Sequence, residues 1–125
     1  PPHADRFWPA GFTAVRAPAL TREAVFDAIR DHRTYAATQS RIYLDAGFQR
    51  IADGFRVTLR AASEETIAAV ALVAGGADVR TLRPDRDERV VRADDIALDL
   101  PPGSFCYARV TTGQGNMAWS SPCWT

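Results

Sequence analysis

Hydrophobic positions recur along this chain at two different spacings. Between residues 21 and 33 the spacing is helical: Ala24, Val25, Ala28 and Ile29 make one apolar stripe, with Arg22, Asp27, Arg30 and Asp31 mostly on the other side. Thr21 suits the N-cap, Glu23 lies in the first turn, and Arg30, His32 and Arg33 lie in the last, where the helix dipole favours cations. Leu20 and Val25 have the separation of a hydrophobic staple. The pattern predicts one helix over residues 22–33. So short a helix is marginal alone in water, so its stripe needs a partner, either the chain's own sheet or polypeptide outside it. Ahead of it, Pro1, Pro2, Pro9 and Pro18 interrupt regular structure, while residues 11–16 read as a short buried strand.

From Arg41 onward the period becomes two. Residues 42–48 form one expected strand. Phe55, Val57 and Leu59 alternate with Arg56, Thr58 and Arg60 in a second, and residues 67–74 make a more continuously apolar third. Gly75-Gly76 is a tight hairpin into residues 78–82, and 85–89 form a charged loop. Ile96, Leu98 and Leu100 alternate with Asp95, Ala97 and Asp99. Pro101-Pro102-Gly103 then turns into 104–112, and Gly113 to Asn116 turns again into 117–124. Six or seven short strands after one helix predict a mostly-β fold, an immunoglobulin-like antiparallel β-sandwich preceded by one α-helix.

At 125 residues the chain has the size of one domain, able to bury roughly two thirds of its unfolded surface. Fifteen basic side chains balance fifteen acidic ones, and every basic residue is an arginine, scattered along the chain. With no net field and no basic patch, nucleic acid and anionic membrane are excluded as expected partners. No apolar run approaches the roughly twenty residues of a bilayer span. The chain opens at Pro1 rather than Met, so it is expected to be an excerpt of a longer protein.

Candidate chemistry is sparse. His3 and Asp5 pair an imidazole with a carboxylate, a donor set that suits zinc, manganese or iron. Two donors do not close a site, so His3 as a metal ligand stands against a solvated terminus. His32 reads as a helix-end residue, since no nucleophile or carboxylate partner is placed for it. Cys106 and Cys123 fall opposite each other if Gln114-Gly115 centres the last hairpin, but Pro122 suggests a bulge that would shift the register. Free buried thiols lead there, with a disulfide second and a catalytic cysteine third. Phe105, Tyr107, Trp119 and Trp124 read as sandwich core, with an aromatic platform for sugar or peptide as the alternative. No phosphate loop, nucleophile elbow or glycosidase-like acid pair is present, so no catalytic or cofactor-binding residue is assigned.

Two segments resemble a known family. One comprises the GFTAV run at 11–15, the LTREAVFDAI run at 20–29, the RTYAAT run at 33–38, and Arg41-Ile42. The other comprises residues 105–110 and the MAWSSPCW run at 117–124. Together they resemble the C-terminal region of PHP-type proteins, the polymerase and histidinol phosphatase family of metal-dependent phosphoesterases. They are most similar to the larger members, in which a β-sandwich follows the metal barrel. The resemblance implies that residues 1–40 are the terminal strand and helix of a truncated β/α barrel, and 41–125 an appended sandwich. It implies a non-catalytic, buttressing segment of a hydrolase whose divalent metals (Zn, Mn or Fe) are held mostly upstream, His3 being the last trace of that ligand set. The expected partner is the upstream barrel of the same chain, or a second copy through the helix face. An independent β-sandwich module binding carbohydrate or a protein partner is the alternative.

Overall fold

Strict alternation makes Phe55, Val57, Leu59 and Ala61 face one side of a strand and Arg56, Thr58 and Arg60 the other. The first set is buried and the second exposed. The same rule builds most of the molecule. The computed structural model describes residues 11–38 and 40–125. Its elements are β1 (Phe12–Val15), α1 (Arg22–Arg30), β2 (Thr34–Ala37), β3 (Ile42–Ile51), β4 (Gly54–Ser63), β5 (Ile67–Ala74), β6 (Ala77–Leu82), β7 (Val90–Asp99), β8 (Phe105–Thr112), β9 (Met117–Ser120) and β10 (Cys123–Trp124).

The strands form two antiparallel sheets. The larger has the order β1-β2-β9-β8-β5-β6, with β10 also on β8; the smaller has the order β3-β4-β7. One core lies between them: Leu44, Phe55, Val57, Leu59, Ile96 and Leu98 from the smaller sheet meet Val70, Leu72, Cys106, Ala108 and Val110 from the larger. Truncating a residue such as Leu72 in this core would remove about 2–5 kcal/mol of stability. The fold is the mostly-β, antiparallel sandwich that the period-two pattern predicts.

Several details differ from the pattern. Ten strands are present among the described residues: the TYAA segment of β2 is too short to show a period, and the strand expected at 117–124 breaks at Ser121-Pro122 into β9 and β10. β2 pairs with both β1 and β9, so residues on the near side of position 41 join the same sheet as those beyond it. The segment at 11–16 is an edge strand rather than a buried one, with Phe12 44% exposed. The helix stops at Arg30, three residues short of the expected end. There His32 takes a left-handed backbone (φ 59), its N–H donates to Ile29 O (3.1 Å), and the Arg33 N–H donates to Ala28 O (2.8 Å). These two bonds are a Schellman closure with a histidine where glycine is usual.

Backbone chemistry fixes the turns. Gly75 (φ 60) and Gly76 (φ 77) supply the two positive φ angles that a two-residue hairpin between Ala74 and Ala77 requires. In β7 a bulge near Asp95 (φ 56) shifts the pairing with β4 between Val57 and Leu59.

Candidate interaction surfaces

α1 is well capped and poorly covered. Thr21 Oγ1 accepts the Ala24 N–H at 3.2 Å, and Arg30 pairs with Asp27 one turn back. Of the expected stripe, Ala28 is fully buried, Ala24 and Val25 are half-buried, and Ile29 is 53% exposed. Phe26, which the helical pattern places off the stripe, is 62% exposed and lies under the Arg30 guanidinium (5.8 Å to the ring centre). The expected staple is absent, since Leu20 is 98% exposed and so cannot be packed on Val25. The chain's own sheet therefore covers only one flank of the helix. Leu20, Phe26 and Ile29 remain as apolar surface.

A second face comes from β8. Its core-facing residues are Cys106, Ala108, Val110 and Thr112, so Phe105, Tyr107 and Arg109 point to the opposite side. Trp119 is the cross-strand partner of Arg109, and Trp124 that of Phe105, so both indoles share this outer face. The reading of these four aromatics as sandwich core is thereby corrected. Alternation places a residue on a face but does not say which face is inner, and the small residues Cys106 and Ala108 took the core side. Phe105 and Trp124 pack with ring centres 4.8 Å apart, and Arg50 Nε–H donates to the Trp124 carbonyl at 2.8 Å. Arg109 bonds Asp78 at 2.8 Å, while its Nε is buried without a partner. Beside Trp119 a shallow cleft of about 200 Å³ is lined by Thr13, Thr34 and Ser121.

A polar cluster closes one end of the sandwich, and sequence reasoning missed it. Glu65 accepts from Thr112 Oγ1 (2.6 Å) and from Asn116 Nδ2 (3.0 Å to each oxygen), and Thr38 Oγ1 donates to Asn116 Oδ1 at 2.9 Å. The Thr112 and Asn116 hydrogen bonds hold the Glu65 carboxyl below its usual pKa, against a smaller opposing effect of burial. No spacing signals such a cluster, because its members come from three separate segments. Burial, aided by Tyr43, raises the Tyr35 phenol despite Arg16 nearby.

His3 and Asp5 lie outside the described residues. His32 is the exposed, left-handed residue that follows the C-cap Asp31. Cys106 and Cys123 are free thiols and direct cross-strand partners, one buried and one half-buried. Among the described residues no three His, Cys, Asp or Glu side chains converge as a metal site would require. The described residues thus do not supply the donor set that a metal ion would need. No described helix is long and apolar enough to cross a membrane.

A family model described as "Protein of unknown function (DUF3604)" matches residues 3–79, more than half of the chain. Similar proteins include an uncharacterized protein of Chlamydia muridarum, 26% identical over 138 aligned positions, a match that covers 91% of this chain and 22% of that protein. Another, from Chlamydia pneumoniae, is 27% identical over the same shares. The chain spans about a fifth of the length of these curated relatives. No solved structure gives a significant match.

Proposed function

The chain belongs to the DUF3604 family, and from that premise we propose that it is a non-catalytic β-sandwich segment of a longer protein, holding the rest of that protein through the open side of α1. The observation that carries this reading is the apolar exposure of Leu20, Phe26 and Ile29 on a nine-residue helix otherwise well capped. Covering Phe26 and Ile29 would be worth about 1–2 kcal/mol each, given that roughly half of each side chain is already sheltered. The relatives, nearly five times as long as their match to this chain, supply ample polypeptide to cover them. The family resemblance extends the reading: a PHP-like parent would hold its divalent metals in a barrel upstream of this segment, where they would supply activated water for phosphoester hydrolysis, with the sandwich contributing none of the ligands. A second copy of the chain is the other occupant of the same face.

The test uses the full-length parent carrying Phe26→Ser with Ile29→Ser. Hydrogen exchange over α1 and over its covering segment should rise together, with the sandwich strands unchanged. A parent with α1 as exchange-labile before substitution as after it would end the proposal. Phosphatase assays of the same parent with added manganese or zinc address the chemistry separately.

A second reading, a binding module for carbohydrate or a peptide, has its own support in the outward row of Phe105, Tyr107, Trp119 and Trp124. Aromatic faces with hydroxyls alongside suit a pyranose ring. Titration of oligosaccharides followed by tryptophan fluorescence, with Trp119→Ala as control, decides it. A flat response from both proteins removes it.

A further inference from the structure

Cys106 and Cys123 face each other on β8 and β10, both turned toward the core. The hairpin alone would not align them. Thr111↔Met117, Val110↔Ala118 and Arg109↔Trp119 run one position off the cysteine register, and one additional residue at Ser121-Pro122 restores it. Thr125 N–H donates to Ser104 O at 2.8 Å, two positions along the same ladder. The cysteines therefore occupy a hydrogen-bonded position, where opposed Cα atoms stand about 5.5 Å apart. A disulfide spans roughly 4.4–6.8 Å between Cα atoms.

The two thiols have different surroundings. Cys106 is fully buried; burial first, and the Cys123 sulfur second, push its thiol up to about 11. Cys123 is half-buried and lines an open cleft of about 270 Å³ with Arg16, Arg33, Phe48 and Pro122. Arg16 pairs with Asp45 and Arg33 with Asp31, so the cleft carries little net field.

We propose that Cys106 and Cys123 are a redox-active dithiol, closed to a cross-strand disulfide by a low-molecular-weight disulfide that enters this cleft. Cys123, as the thiolate, attacks one sulfur of the incoming disulfide. The S–S bond breaks, one thiolate leaves, and a mixed disulfide remains on Cys123. Cys106 gives up its proton and attacks the Cys123 sulfur, expelling the second thiolate. Two protein thiols are oxidised, one small disulfide is reduced to two thiols, and the two protons end on those products. The product staples the two-residue strand β10 to β8. This inference does not depend on the parent's activity.

The test equilibrates the full-length protein with oxidised and reduced glutathione at graded ratios, quenches with acid, alkylates and reads masses. Wild type should lose two hydrogens and join the peptides containing residues 106 and 123. Cys106→Ala, or Cys106→Val if the smaller residue unfolds the core, should stop at one glutathione on Cys123, while folded Cys123→Ala should take up none. Closure should raise the Tm by roughly 10 °C, reversibly with reductant, as expected for cross-linking a loop of this length. Neutral hydroxyethyl disulfide should act as glutathione does. Folded wild type with both thiols alkylatable at full oxidation, a glutathione adduct on Cys123 that never resolves, or a folded Cys106 variant that takes up no adduct would each overturn the proposal.

Discussion

Gly54 opens β4 with φ 152, and a Cβ built there would lie 1.9 Å from the Leu98 carbonyl oxygen and 2.9 Å from the Leu100 nitrogen. Both neighbours are backbone, and neither can rotate away as a side chain would. Gly54→Ala must first hold an L-residue in a region that costs about 1–3 kcal/mol. It must then displace the end of β7, loosening the Gly54↔Asp99 pairing and the Leu100 N–H bond to Asp53 O (2.8 Å), at about 1 kcal/mol each. The sum is about 3–5 kcal/mol, a large fraction of the roughly 5–15 kcal/mol that holds a domain folded. Gly75→Ala is the matched control: its φ is also positive (60°), but nothing lies within 4 Å of the added methyl. It should lose only about 1 kcal/mol. In urea, with a slope near 2 kcal/mol per molar, the midpoints should fall by about 2 M and about 0.5 M respectively. Midpoints for the two variants within about 0.3 M of each other would refute the reasoning, since they would show that the close approach of β7 contributes nothing.

Other outcomes follow from the same structure. His32→Gly relieves a left-handed residue at the helix end and should raise stability by about 0.5–1 kcal/mol, read as a higher denaturation midpoint. Glu65 has a folded pKa below its ordinary value of 4.5, so its contribution is present above that pH and lost as the pH falls through the lower folded value. Glu65→Gln should therefore flatten the acid side of a stability-versus-pH curve. Cys106 works in the opposite sense: its thiol is raised from 9.0 to about 11, so stability should be complete below pH 9 and decline between pH 9 and 11. Cys106→Ala should lack that alkaline decline in thermal melts.

Much of the fold was legible because local rules and global packing agree. The alternation at Phe55, Val57 and Leu59, the Gly75-Gly76 turn and the Thr21 cap each need only their near neighbours. What was not legible depends on partners far away in sequence. Nothing in Phe105-Cys106-Tyr107 says which set of alternating residues meets the other sheet, so alternation alone puts the aromatics on the wrong side. The Glu65 cluster joins residues up to 78 positions apart, from Thr38 to Asn116. Leu20 has the spacing of a staple, but spacing alone does not turn a side chain onto the helix, and Leu20 stays in solvent. A hairpin centred on Gln114-Gly115 is one register off the actual β8–β9 pairing, and the irregularity at Ser121-Pro122 cancels that offset, so the cysteines still pair.

The outermost position of β1 in the larger sheet carries a practical consequence. Strand β6 at the opposite border presents Asp78 and Arg80, charges that discourage a foreign strand from adding on. β1 reads Phe-Thr-Ala-Val, with no charge at all. Expressed apart from whatever normally shelters that rim, the polypeptide should recruit copies of itself there by strand addition, and a single lysine at Thr13 should restore solubility.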